Sequence, residues 1–506
     1  MSESLQISHL LTTKRNQFRS EIRKEKNQFC LNQKRLFSMN SNPMMIHNDI
    51  NNGPPNSQFL LNSESISQRL KTFAFNINHS QSFTDTNNNL YLVRCFLMDI
   101  FLNNSKPSFS EIIDSEIPQI LLNFLKNHYG NDLINRIEAA RSLLILTAGP
   151  DCNDEKLATM NIGQIAMEYF DEKVESNEMT EVIMTLLANL SLCEANKKKM
   201  LEEDIVGKVL NFALDNDLTE TRVLASLLFL IKSLCFNSNY ADVECFLEPV
   251  IHIYEIDDLQ IQEECLEILA QMGEMINANY INRIFKQETF LKGLNGALKS
   301  KENAIFQNAL NIVSNLTYGN EGQIDILFEN HLISTLIEQI KHQTFANQQE
   351  IMNIFSSVLK DKNENFEFFY KKKFYEIFPQ LLFSGRHFLK MESLEFLFSS
   401  IYLAQNKEII PIICPIDILN FIIGELRNEE NSVDCAIEIL SFIEYLMKIG
   451  MNIEKEGDFM LKYYRNIFEY VENGVFDLFE LHENNMVSNI VIRVKEIIHD
   501  YYKPKK

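Results

Sequence analysis

At 506 residues the chain is longer than one ordinary hydrophobic core organises, so it is either several domains or an array of repeats. Its net charge of −22, from 47 Lys and Arg against 69 Asp and Glu, argues against nucleic-acid binding by the bulk of the chain and suits a basic partner or basic peptide ligands. Gly (15) and Pro (11) fall well below their usual shares of roughly 7% and 5%, which leaves little room for the turns of β-sheets.

The chain opens on a basic arm. Residues 1–40 carry eight Lys and Arg (Lys14, Arg15, Arg19, Arg23, Lys24, Lys26, Lys34 and Arg35) against Glu3, Glu21 and Glu25. The arm is therefore +5 and the remainder −27, so the arm can bind its own acidic body or another acidic protein. It lacks the apolar run of a signal peptide. A solvated tail is the plain alternative, but Ile22, Phe29 and Leu31 can form an apolar stripe on a helix that folds against a partner. Residues 41–88 are rich in Asn, Ser and Pro and read as a flexible linker.

From 89 to 502 the apolar residues recur at three- and four-residue spacings, the period of α-helices. "EAARSLLILTAGP" (138–150) predicts a helix stopped by Gly149-Pro150, with Arg141 one turn before Ile145 on the same stripe. In "IFQNALNIVSNL" (305–316), Ile305, Ala309, Ile312, Val313 and Leu316 form one stripe and Asn308, Asn311 and Asn315 another. A polar or otherwise distinctive position near a helix end returns at Ile145, Asn189, Ser233, Gln271, Asn315, Ser357, Ser400 and about Glu444, at intervals of 38–44 residues. That period, with three helices per unit, is the signature of armadillo repeats. The expected fold is all-α: an armadillo-repeat, right-handed superhelical solenoid of about ten repeats, whose stacked third helices line a groove for extended peptides. Residues 503–506 add a short basic tail.

The scattered cysteines show no C-x-x-C pair and read as small core residues of a reducing compartment. The ten His have no ligand spacing, so no metal site is expected, and no phosphate-loop or nucleophile motif appears, so neither an enzyme nor a cofactor is expected. "IIPIICPIDILNFII" (409–423) is too short and too broken to span a membrane. The lysine runs "NKKKM" (196–200) and "YKKKF" (370–374) read as solvated helix ends.

Four stretches resemble the importin-α family of nuclear import adaptors. Residues 306–337, "FQNALNIVSNLTYGNEGQIDILFENHLISTLI", are similar to an armadillo unit of that family, and 106–125, "KPSFSEIIDSEIPQILLNFL", to its first repeat. Residues 469–502, with "HEN" at His482, Glu483 and Asn484, resemble its closing repeat, although a single Gly474 stands where the family often has two glycines. Residues 21–35, "EIRKEKNQFCLNQKR", resemble its importin-β-binding arm, with Leu36 in place of a third basic residue after Lys34-Arg35.

The resemblance implies a shuttling adaptor of cytoplasm and nucleus. Its partners would be importin-β at the arm, cargo with basic signal peptides in the groove, and an export receptor with Ran-GTP near His482–Asn484. It implies neither direct nucleic-acid binding nor a membrane. It also implies a cargo site in which a Trp, four residues before each marker Asn, slots the stems of cargo Lys and Arg while the Asn clamps the cargo backbone.

This chain has no Trp. By the repeat register the Trp/Asn pairs become Arg141/Ile145, Thr185/Asn189 and Phe229/Ser233 at the main site, Asn311/Asn315 in the sixth repeat, and Asn353/Ser357 and Phe396/Ser400 at the second site. Glu181 matches a family acid, and Cys193 stands where an Asp is usual. Phe229 and Phe396 suit core packing as well as a groove, and Arg141 could pair with a neighbouring acid. A groove so altered is expected to bind ordinary basic signals poorly. An armadillo scaffold outside nuclear transport is the competing expectation.

Overall fold

The computed structural model describes residues 65–102, 111–126, 132–148, 159–171, 176–215, 220–275, 277–359, 362–404, 407–426, 433–451, 468 and 484–502. These contain helices and no β-strand. The basic arm (Arg15, Arg19, Arg23, Lys24, Lys26, Lys34, Arg35), Gly149-Pro150, His482, Glu483 and the tail 503–506 lie outside them.

Ten helices recur at the position of the third helix of a repeat among the described residues. They are α1 (Phe83–Leu102), α2 (Leu133–Ala148), α3 (Asn177–Ser191), α4 (Thr221–Cys235), α5 (Leu259–Gly273), α6 (Asn303–Leu316), α7 (Phe345–Leu359), α8 (His387–Leu403), α9 (Val433–Met451) and α10 (Asn485–Tyr502). The residues fall into two compact units, one ending at Phe290 and one beginning at Leu291. In the first, α1 to α5 pack each on the next. In the second, α6 packs on α7, α7 on α8 and α9 on α10. Phe398 stacks on Phe442 at 4.2 Å and Tyr402 meets Tyr445 edge-on at 4.4 Å, joining α8 to α9.

Shorter helices cover the other side of this ladder. Ile117–Leu125 packs on α2, Leu247–Tyr254 on α5 and Phe378–Leu382 on α8. A single repeat cannot bury both faces of its third helix, so the core is continuous through each unit and every unit is an armadillo stack. The apolar positions inferred from periodicity in α6 are buried: Ile305, Ala309, Ile312, Val313 and Leu316.

Local chemistry sets the ends of the helices. Ser176 Oγ accepts from Met179 N–H at the start of α3, and Asp258 accepts from the Gln260 and Ile261 N–H groups at the start of α5. Asn320 and Gln323 form a reciprocal capping box at Glu321–Glu329, within the stretch that resembles an armadillo unit. At four of the junctions before a second helix the chain turns through a left-handed residue, Asn161, Asp204, His331 or Lys373, with φ between 54° and 61°. From 161 to 204 and from 331 to 373 the separations are 43 and 42 residues, so backbone strain shares the repeat period.

Two sequence expectations change here. The Asn/Ser-rich segment 41–88 is not linker throughout: Ile66–Asn78 is a helix capped by Ser65, with Leu70, Ala74 and Ile77 buried against α1, and α1 itself begins at Phe83. Composition obscured these three apolar residues at helical spacing. The run "NKKKM" is not wholly solvated either, because Lys197 is buried and its ammonium donates to the Phe236 carbonyl at 2.5 Å.

Candidate functional site

Each third helix buries most of its surface and leaves one partly exposed stripe. In α3 this stripe runs through Glu178, Glu181, Thr185 and Asn189 to Leu192 just beyond the helix. The same helical register gives Ile134, Ile137, Arg141 and Ile145 in α2 (with Glu138 directly beside Ile137), Arg222, Ala225, Phe229 and Ser233 in α4, and Gln260, Glu263, Glu267 and Gln271 in α5. The α6 stripe carries Asn308, Asn311 and Asn315. Positions 141, 185, 189 and 315 therefore share one register on their helices, as the repeat pattern requires. The marker end of each stripe is buried, and Asn189 keeps only 1% of its surface and Asn315 only 3%.

Inter-repeat polar contacts tie these stripes together. Arg94 on α1 donates from Nε to Glu138 Oε2 on α2 at 2.8 Å. Glu138 Oε1 accepts from Arg141 Nη1 at 2.9 Å, and Arg141 reaches across to Glu178 on α3. A chain of four charges thus spans three repeats. Between α3 and α4 the link is neutral: Thr185 Oγ1 lies 3.4 Å from Ser226 Oγ while also donating to the Glu181 carbonyl at 2.8 Å. Between α4 and α5, Lys232 pairs with Glu267, and Gln271 Nε2 contacts the Lys232 carbonyl at 3.4 Å. Lys232 is 1% exposed and occupies the position directly before marker Ser233.

Two cavities open at the helix ends beside this region. One of about 380 Å³ lies among Leu192, Cys193, Glu194, Lys197, Phe236 and Asn237. The other, of about 200 Å³, is lined by Cys235, Asn237, Ser238, Gln271, Glu274 and Met275. The buried Gln271 Oε1 in the second receives no hydrogen bond among the described residues. Burial pushes the Cys235 thiol up to about 12, against a smaller opposing pull from Lys197, so it stays protonated at neutral pH.

In the C-terminal unit, Ser314 donates to Glu350 at 2.6 Å, joining α6 to α7, and Asn353 Nδ2 lies 3.4 Å from the same carboxylate. Asn311 is half-buried, and Ser357 is buried at its helix end. Ser233 and Ser400 donate back to the Phe229 and Phe396 carbonyls at 2.8 and 2.7 Å, so their hydroxyls serve their own helices. Asn484, the described member of the "HEN" stretch, accepts from Met486 N–H at 2.9 Å and begins α10.

Phe396 is a correction. It is fully buried, with its ring 5.2 Å from Phe369 and Phe374 and 5.8–6.2 Å from Phe355, Tyr375 and Phe378. It is a core ring and offers no slot. Phe229 is also buried, at 8% exposure. The sequence reading missed Glu138, Glu178, Lys232 and Glu267. Glu138 had a local signal, three residues before Arg141 on one helix face, whereas the Lys232–Glu267 pair depends on tertiary stacking.

The marker Glu444 of α9 receives both Arg493 of α10, through two bonds of 3.0 Å, and Lys448, at 2.7 Å. Burial alone would raise its carboxyl, but the bonds and charges of Arg493 and Lys448 outweigh burial and hold it below the ordinary carboxylate value. A carboxyl depressed in the folded state contributes stability above its unfolded pKa, and that contribution is lost as pH falls through the folded one. Amide protection in α10 is therefore expected to fall between neutral pH and the acid side of the carboxylate range. Arg493→Met should remove much of that pH dependence, as followed by hydrogen exchange.

Among the described residues no group of His, Cys, Asp and Glu is placed to hold a metal ion, and no helix is long and apolar enough to cross a membrane. No family model matches the sequence. No curated protein matches it either. Solved structures do match in three dimensions. An engineered protein from a structural-genomics effort aligns over 86% of this chain and 99% of its own, with TM-score 0.68 and 14% identity. A chain from a structure of the phosphorylation switch controlling the interaction between cadherin and beta-catenin aligns over 86% and 94%, with TM-score 0.58 and 12% identity. A designed armadillo repeat protein aligns over 50% of this chain and 99% of its own, with TM-score 0.42 and 14% identity. The fold is that of the all-α armadillo-repeat solenoids.

Proposed function

We propose that the chain is a protein-binding adaptor that holds an extended segment of a partner against the partly exposed stripes of its third helices. The carrying observation is the shared register, two to three turns ahead of the marker positions, of the exposed Glu178, Arg222 and Gln260 and the half-buried Glu181 and Glu263 on α3 to α5. Repetition of one stripe along a stack suits a ligand that is itself repetitive, an extended backbone. A structural neighbour concerned with the interaction between cadherin and beta-catenin supports partner binding as a use of this fold.

The finer reading is nuclear import. The arm 1–40 would bind importin-β, the stripes would carry cargo, and the segment at His482, Glu483 and Asn484 would meet an export receptor with Ran-GTP as the protein shuttles between cytoplasm and nucleus. The similarity of "EIRKEKNQFCLNQKR" and of the closing repeat supports this. Residues 1–40 fused to an inert carrier should bind importin-β and bring the carrier into nuclei. A carrier that neither binds nor enters removes the import reading.

The second reading, a scaffold outside transport, draws on the site itself. No Trp is present, Phe396 is in the core, and Arg141 stands at a cation slot. Each absent ring forfeits roughly 0.5–2 kcal/mol toward a cationic side chain. Sub-micromolar binding of a simple Lys-rich signal peptide by the full chain would overturn the altered-groove account.

A further inference from the structure

In two of the three gaps between consecutive helices from α2 to α5, a cation of this chain already occupies the carboxylates that a basic ligand would seek. Arg141 spans the α2–α3 gap, holding Glu138 at 2.9 Å and Glu178 across the gap. Lys232 spans the α4–α5 gap to Glu267. The middle gap is closed by hydroxyls, Thr185 to Ser226. We propose that Arg141 and Lys232 are selectivity residues that stand in for ligand cations and exclude Lys and Arg side chains from these two gaps. The segment held there presents uncharged side chains to these two gaps. The inference rests on the protein-binding reading above and specifies the chemistry of its ligand.

Three observations carry it. First, Lys232 is all but inaccessible while Glu267 keeps 16% of its side chain exposed, so the chain's own ammonium lies beneath the carboxylate and neutralises it from within. Second, the Glu178 side chain is 53% exposed and Arg141 only 17%, so removing the guanidinium would free a carboxylate that a ligand can reach. Third, the body is strongly acidic, so its long-range field draws cations toward a surface whose close-range partners are already taken. The second cavity lies beside the Lys232 gap. Its buried Gln271 Oε1 offers an acceptor that suits a backbone or side-chain N–H, with no ionic partner needed.

The test uses the full chain, a fluorescent alternating Lys-Arg octapeptide, and a library of uncharged and acidic peptides. Arg141→Met and Lys232→Met keep apolar stems and remove the charges. Each variant should bind the cationic peptide about tenfold more tightly than the parent, and the double variant more tightly still, with the gain lost at high salt. Lys232→Gln serves if Lys232→Met unfolds, and circular dichroism confirms the fold of each. Adding Glu267→Gln to the Lys232 variant should abolish its gain. Unchanged cationic binding in folded variants, or a parent that already binds the cationic peptide as tightly, overturns the selectivity role. If the parent still binds library peptides in that case, the protein-binding reading survives, and if neither parent nor variants bind any peptide, both fall.

Discussion

Replacing Phe396 with alanine is expected to destabilise the C-terminal unit by about 3–5 kcal/mol, the usual cost of truncating a fully buried phenylalanine. The ring is wholly enclosed and touches aromatic neighbours from α7, from Asn363–Lys371 and from Phe374–Leu382. Its removal leaves a cavity that the five surrounding rings, two edge-on to Phe396 and three tilted, cannot collapse to fill. Tyr375 gives a second link, since its hydroxyl donates to Ser400 at 2.8 Å one turn beyond Phe396, and burial raises that hydroxyl's pKa. Urea unfolding followed by hydrogen exchange within α7 and α8 measures the loss locally, which suits a stack in which each repeat contacts only its neighbours. Phe396→Leu should cost less than alanine. A Phe396→Ala protein of parental stability but impaired ligand binding would return Phe396 to the surface.

Removing Glu138 is the second large perturbation. The carboxylate is buried and serves two guanidiniums, Arg94 at 2.8 Å and Arg141 at 2.9 Å. Glu138→Ala takes from the buried Arg94 the carboxylate its Nε donates to and leaves two cations near one another. Breaking a buried pair from one side costs about 3–5 kcal/mol, because the remaining charge stays out of water with one carboxylate fewer to compensate it. The stacked Tyr91 face, 5.1 Å from the Arg94 guanidinium, moderates the loss without replacing a carboxylate. Exchanging both partners, Arg94→Met with Glu138→Leu, should recover most of the stability, since a well-packed apolar pair replaces a buried ion pair at little net cost. A double-mutant cycle by chemical denaturation reads both effects. A Glu138→Ala loss below about 1 kcal/mol would show that the α1–α2–α3 charge chain is a solvated surface feature.

Helical period and repeat interval were legible because both come from local patterning that stacking preserves. The α6 core was marked by Ile305 through Leu316. The start of the helical body was not. Leu70, Ala74 and Ile77 are too few to stand out in an Asn-rich background, yet α1 gives them a surface to pack on. The candidate site was legible as a register and illegible as chemistry. Arg141 signalled that something unusual faces its neighbour, but its partners lie 3 and 37 residues away, and only the nearer one shares its helix. Lys232 and Glu267 sit one position before and four before their markers, with nothing local to join them. Phe396 shows the converse failure, because register placed it in line with the stripe while the loop Lys372–Ile377 and its aromatic residues cover it.

The most direct test of the account places a photo-reactive side chain at Gln260 or Asn311, on the stripes of α5 and α6, and at two outer positions, Glu203 just past the helix Glu194–Glu202 or Asp325 within Glu321–Glu329, in separate full-length proteins. Peptides selected for binding to the unlabelled chain are then added and cross-linked. The account predicts products from 260 and 311, suppressed by excess unlabelled peptide, and none from 203 and 325. Products confined to the outer positions would contradict it.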